Sequence, residues 1–217
     1  YHKIYKDVQK KIKNKKMPLL LGGDHSVSLA SVPAVCDIYK EDISIIWVDA
    51  HADINTPETS TTGNLHGMPL ASALQLMEPI IKPKYQIKYD QLFYVGLRSI
   101  DEPEKKLLDE KSITYFEYKD IKNNGIEKIF EIIRKKTKYN VHLSFDIDVM
   151  DPTLTPSTGT PEVNGMKMEE VNYFIDNLKK TKKITSVDFV EFNPWIRPNK
   201  SVKTLQNSLT ILDKILS

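Results

Sequence analysis

The sequence predicts an α/β fold in three α-β-α layers around a central parallel sheet, and three observations predict it. Short apolar runs rich in β-branched residues recur along the chain, most of them apolar on both faces, as strands covered by helices on either side require. Amphipathic stretches of helical period lie between them. No repeat, low-complexity linker or composition break divides the 217 residues, so residues 1–217 are expected to form one domain.

In chain order, Ile4, Val8 and Ile12 carry a first helix, and Leu19–Leu21 is the first strand. Cys36 lies on an apolar helix face and reads as a small core residue. Ile43–Val48 is the second strand, and an apolar helix begins at Met68-Pro69-Leu70. Leu92–Val95, Ile113–Phe116, Val141–Phe145 and Ile184–Val190 supply four more strands. Helical spacing returns at Ile126, Ile129, Phe130 and Ile133, and again at Val171, Phe174, Ile175 and Leu178; Leu205, Leu209 and Leu212 suggest a last helix. Lysine clusters at 10–16, 135–138 and 179–183 punctuate helix ends, where they complement the helix dipole.

Composition excludes several classes of function. Lys+Arg 31 against Asp+Glu 29 gives +2; that balance, without interleaved aromatic and basic residues, argues against nucleic acid as a partner. The longest apolar runs fall far short of the ~18 residues of a membrane span, and no secretory signal opens the chain. The single cysteine cannot form an internal disulfide, which fits a reducing, cytoplasmic location. The chain starts at Tyr1, so its natural N-terminus is expected to lie elsewhere.

Loops at the carboxyl ends of parallel strands build the ligand site, so the residues just past each strand matter most. Gly22-Gly23-Asp24-His25-Ser26 comes after the first strand, Asp49-Ala50-His51-Ala52-Asp53-Ile54-Asn55 after the second, Asp146-Ile147-Asp148 after the fifth and Glu191 after the sixth. Residues two apart in an extended segment point the same way, so Asp49, His51 and Asp53 can face one point, as can Asp146 and Asp148. A single Asp-x-Asp after a strand is commonly a turn or cap; the signal here is several such segments at one edge. Gathering these carboxylates without a cation would cost several kcal/mol. With His25 they form a set of two imidazoles and four carboxylates, too many for one tetrahedral zinc and free of sulfur. Such a set suits manganese, and bridging carboxylates suit a two-metal centre.

These segments, with Ser144-Phe145-Asp146-Ile147-Asp148, Gly63-Asn64-Leu65-His66-Gly67, Thr158-Gly159-Thr160-Pro161-Glu162 and Asp188-Phe189-Val190-Glu191-Phe192-Asn193-Pro194, resemble the signatures of the ureohydrolase family, which includes arginase and agmatinase. The resemblance runs from about Leu19 onward. It implies two Mn2+ ions per subunit, one held by His25, Asp49, Asp53 and Asp146, the other by His51 and Asp148 with Asp49 and Asp146 shared. It implies hydrolysis of a guanidinium group to urea and an amine by a metal-bridging hydroxide. Asp53 would orient the nucleophile and pass on its proton, His66 would shuttle protons, and Glu191 would pair with the guanidinium. For His66, capping the next helix is the structural alternative.

The family resemblance also bears on the substrate. Asn55, Thr62 and Asn64 resemble arginase positions at the amino-acid end of the substrate; Asp101 resembles the aspartate that meets the α-ammonium, and Glu104 a further polar contact. The expected reaction is therefore L-arginine to L-ornithine and urea, with agmatine or another guanidino compound as the alternative, and a non-catalytic metal-binding or regulatory protein as a further one. Asp101, ahead of Pro103, can equally cap a helix. A homotrimer is implied, although Glu169-Glu170 follows Met168 where arginases often place an arginine used between subunits. The family usually has a longer stretch before Gly22 with at least one more strand, so this chain reads as lacking the N-terminal part, with an exposed edge at the strand near Leu19.

Overall fold

The computed structural model describes residues 1–217. Its strands are β1 (Leu19–Leu21), β2 (Ile43–Val48), β3 (Leu92–Leu97), β4 (Thr114–Glu117), β5 (Asn140–Asp146) and β6 (Ile184–Val190). They form one sheet in the order β1-β6-β5-β2-β3-β4, with every neighbouring pair parallel. The helices are α1 (His2–Lys13), α2 (Ser28–Tyr39), α3 (Pro69–Ala73), α4 (Glu102–Glu110), α5 (Tyr118–Asn124), α6 (Ile126–Lys136), α7 (Met168–Lys180) and α8 (Pro198–Leu216).

Strand alternation divides the interior into two cores. Ile43, Ile45 and Trp47 of β2 join α1 to α4 on one side; Ile46 and Val48 join α5 to α8 on the other. This is the predicted three-layer arrangement. β3 outruns its expected end at Val95 because the register shifts between Val95 and Leu97, where Gly96 takes φ 97° and bulges the strand. α2 is buried from Ser28 through Cys36, which accounts for its nearly unbroken apolar sequence. On α8 only one of the three predicted leucines, Leu212, packs against the core. Thr204, Ser208, Ile211 and Ile215 face the core, while Leu205 and Leu209 are exposed. No helix is long and apolar enough to cross a membrane.

The strand order places the site. From β2 the chain builds outward through β3 and β4, then returns to lay β5 against the other side of β2, with β6 beyond it. The loops leaving β2 and β5 therefore diverge from adjacent strands, which opens a crevice at the carboxyl edge. At the far side, β1 pairs only with β6 and leaves an open edge, where Leu21 is 62% exposed.

Candidate metal centre

Four strand ends feed the crevice. β1 runs into Gly22 and Gly23, then a 3-10 turn at His25–Val27. A Cβ on Gly22 would meet Val27 Cγ2 at 2.8 Å and Val190 Cγ1 at 3.0 Å, so glycine is what lets this turn lie against β6. His25 is buried, its ring stacked on Trp47 with centroids 4.0 Å apart. Its Nε2 lies 2.7 Å from Ser144 Oγ on β5. With that nitrogen donating its proton, Nδ1 presents a lone pair to the crevice.

Three carboxylate oxygens converge on that lone pair. Asp49, Asp53 and Asp146 place an Oδ2 at 2.9, 3.0 and 3.2 Å from His25 Nδ1. A second group lies beside the first: His51 Nδ1 is 3.0 Å from Asp148 Oδ2 and 3.5 Å from Asp49 Oδ1. All six residues named from the sequence are thus brought together, and Asp49 belongs to both groups.

Strand alternation, expected from the sequence to aim these side chains, is not what does so. β2 ends at Val48, Asp148 sits in a 3-10 turn at Ile147–Val149, and Asp53 has a left-handed backbone with φ 51°. Instead, Asp49 Oδ1 accepts the His51 N–H at 2.7 Å and Asp146 Oδ1 accepts the Asp148 N–H at 2.8 Å. Each aspartate folds the backbone two residues on with one oxygen and turns the other toward His25.

The electrostatics favour a cation. Burial and the neighbouring Asp49 push Asp53 up to about 7. Asp146 and Asp148 are raised by burial and by the carboxylates around them. Asp49 goes the other way: its burial is outweighed by the adjacent imidazoles of His25 and His51, and it falls below the ordinary carboxylate range. Burial likewise disfavours the charged imidazoles, but the carboxylates outweigh it, raising His25 and carrying His51 to about 12. Protons here do work that a divalent ion does better. His25 Nδ1 and Asp49 Oδ2 are fully buried yet have no hydrogen-bond partner. Donor atoms 2.9–3.2 Å apart match the spacing of about 3 Å between adjacent ligands of an octahedral ion. The residues fit a divalent metal.

Above this cluster lies a cleft of ≈ 220 Å³ lined without a single hydrophobic residue. His66, Glu191, Asn55, Thr62, Asp101 and Glu104 line it. Glu191, like Asp53, has a positive φ, 70°, and its Oε1 accepts the His25 N–H at 2.9 Å. Burial pushes its carboxyl up to about 7. His66 sits in a 3-10 turn at Leu65–Gly67 and does not cap α3, whose N-cap position is Met68. Asp101 is the N-cap residue of α4 and also accepts from Asn55 Nδ2 at 2.8 Å. Glu104 is more structural than expected, because its two oxygens accept the N–H groups of Ile54 and Asp101. Asn64 is exposed and does not line the cleft; it is the N-cap residue of the turn that carries His66.

Several contacts that support the site were not assigned from the sequence. Thr160 donates its hydroxyl to Asp148 Oδ2 at 3.1 Å, and Ala50 its N–H to Asp148 Oδ1 at 3.2 Å. Behind His25, fully buried Asp188 accepts from Ser28 Oγ at 2.7 Å and from Ser31 Oγ. It also faces His142 Nε2 at 3.3 Å, and His142 Nδ1 is 2.8 Å from Ser186 Oγ. The side chains joined here are far apart in sequence, so no local pattern announces their pairing.

A family model described as Arginase family matches residues 1–215. An Entamoeba histolytica arginase is 41% identical over 199 residues, which cover 88% of this chain and 67% of the relative. A crystal structure of arginase from Bacillus subtilis superposes with a TM-score of 0.93 at 36% identity, covering 99% of this chain and 76% of that one. An agmatine ureohydrolase of Thermoplasma volcanium superposes at 0.77 with 27% identity, over 98% of this chain and 66% of that one. The chain spans between 58% and 70% of the length of the first curated arginases it matches.

Proposed function

The chain belongs to the arginase family of hydrolases, and from that premise we propose that it cleaves the guanidinium group of L-arginine to give L-ornithine and urea, with two Mn2+ ions per subunit. His25, Asp49, Asp53 and Asp146 would hold one ion; His51 and Asp148, with Asp49 and Asp146 shared, would hold the other. The donor set favours manganese, since it combines imidazole with mostly carboxylate oxygen and contains no sulfur. When bound, such a pair supplies positive charge that lowers the pKa of water and stabilises negative charge developing on the substrate.

The remaining chemistry falls to the side chains. Glu191, on the cleft wall beside His25, pairs its carboxylate with the planar guanidinium. That contact presents the guanidinium carbon to the metal centre. Asp53 holds the attacking oxygen in line and carries its proton to the departing amine. His66, half-exposed in the cleft, relays protons between the site and solvent.

The substrate's other end favours arginine over agmatine. Arginine carries an α-carboxylate and an α-ammonium, whereas agmatine has only a terminal ammonium. Neutral donors at Asn55 and Thr62 suit the carboxylate, and Asp101, tied to Asn55 at 2.8 Å, suits the ammonium. One observation carries the proposal: three buried carboxylates meet on an unpartnered imidazole nitrogen beneath an all-polar cleft. The test is urea release from arginine, agmatine and other guanidino compounds after manganese loading. Arginine is expected to be turned over fastest. Protein that binds manganese yet releases urea from none of them would overturn the reading.

A further inference from the structure

Arg98, at the end of β3, makes no ion pair. Its three guanidinium nitrogens donate to six main-chain carbonyls instead. Nε reaches Val163 O at 3.1 Å; Nη1 reaches Gly96 O at 3.3 Å and Val149 O at 3.0 Å. Nη2 reaches Asp148 O at 2.6 Å, Glu162 O at 2.9 Å and Met150 O at 3.3 Å. Guanidinium suits this because it spreads five N–H donors in a rigid plane, whereas an ammonium has three around a point.

We propose that Arg98 is a positioning residue for one half of the metal centre, clamping the backbone of the Asp148 turn to the segment at Glu162 and Val163. The two clamped pieces meet again at the ligand itself. Thr160, two residues before Glu162, donates to Asp148 Oδ2, and the Glu162 carboxylate lies 3.8 Å from His51 Nε2. Arg98 thus fixes the main chain of Asp148 and also the segment that contacts its carboxylate and the far side of His51. Gly165 permits the approach: a Cβ there would fall 2.4 Å from Met150 C, 2.5 Å from Asp151 N and 2.7 Å from Arg98 Nη2. His25 and Asp53, in the other half of the site, receive none of these bonds.

The inference rests on the two-ion reading of the site, and its test separates the two. The protein and its Arg98→Lys variant are titrated with Mn2+, and bound ions are counted by electron paramagnetic resonance. The native protein is expected to take two ions. The variant is expected to keep the ion at His25 and to bind the one at His51 and Asp148 10–100-fold more weakly, the usual effect of losing a group that orients a ligand. Equal losses at both positions, or none at either, would overturn the clamp while leaving the two-ion reading intact. A native protein that binds no ion would overturn both. If the variant does not fold, amide hydrogen exchange on the native protein decides. By reciprocity, manganese should slow exchange in residues 148–151 and 162–165 together; protection of only one segment, or of neither, refutes the clamp.

Discussion

Replacing Asp188 by asparagine tests the buried polar network behind His25 without touching a proposed metal ligand. In the native protein one oxygen, Oδ2, accepts from Ser28 and Ser31 and faces His142 Nε2 at 3.3 Å. A hydrogen bond to a charged group contributes about 1.5–3 kcal/mol and a neutral one about 0.5–1.5, so neutralising the acceptor weakens two bonds by about 1 kcal/mol each. Loss of the imidazole's attraction brings the expected cost to about 2–3 kcal/mol, or roughly 5–10 °C in Tm for a chain of this size. The cost should depend on pH. Burial alone would raise the Asp188 pKa, but the imidazole and serine donors outweigh it and hold it below the usual value. A carboxyl depressed in the folded state stabilises above its unfolded pKa of about 3.9. That contribution is lost as pH falls through the folded value. The gap between native and variant in urea denaturation, followed by far-UV circular dichroism, should therefore be full at neutral pH and shrink in acid. A gap below about 0.5 kcal/mol, or one unchanged between neutral and strongly acidic pH, would refute the reasoning.

Asp49 belongs to both ligand groups, so Asp49→Ala should abolish binding of both ions, whereas His51→Ala should retain one; equilibrium dialysis with metal analysis distinguishes these outcomes. Asp101→Ala should raise KM about tenfold for arginine and agmatine alike, equivalent to ~1.4 kcal/mol of lost binding, because both carry that ammonium; steady-state kinetics that moved neither substrate would count against an ammonium contact at Asp101. At the open edge of the sheet, Leu21→Lys should reduce self-association of this 217-residue chain, because a charge on an exposed edge strand opposes pairing with another. Sedimentation velocity showing identical behaviour for both proteins would place any self-association elsewhere.

Much of this architecture was legible because two regular patterns coincide. Apolar runs marked the strands, and polar Gly, Asp and His residues began where the runs stopped, so the crevice could be located before its geometry was known. The features that eluded the sequence have a common physical origin in backbone turns and long-range pairing. Asp53 and Glu191 adopt positive φ, a backbone conformation that their residue types do not announce. Asp148 is aimed by a 3-10 turn, not by strand alternation. Arg98 had no role assigned from the sequence, because the carbonyls around it come from three separate segments. α8 misleads for another reason: its inward stripe is partly Thr204 and Ser208, while some of its leucines face outward.

The stacking of Trp47 on His25 has an experimental consequence. The chain has two tryptophans; Trp195 is 84% exposed, whereas the indole of Trp47 is buried with its ring 4.0 Å from the imidazole. Charge arriving at that imidazole changes the field across the neighbouring indole, so the protein carries its own fluorophore at the place where an ion would enter. Emission from Trp195 reports bulk solvent and serves as an internal reference. Occupancy can then be followed by light, with no dye or label attached.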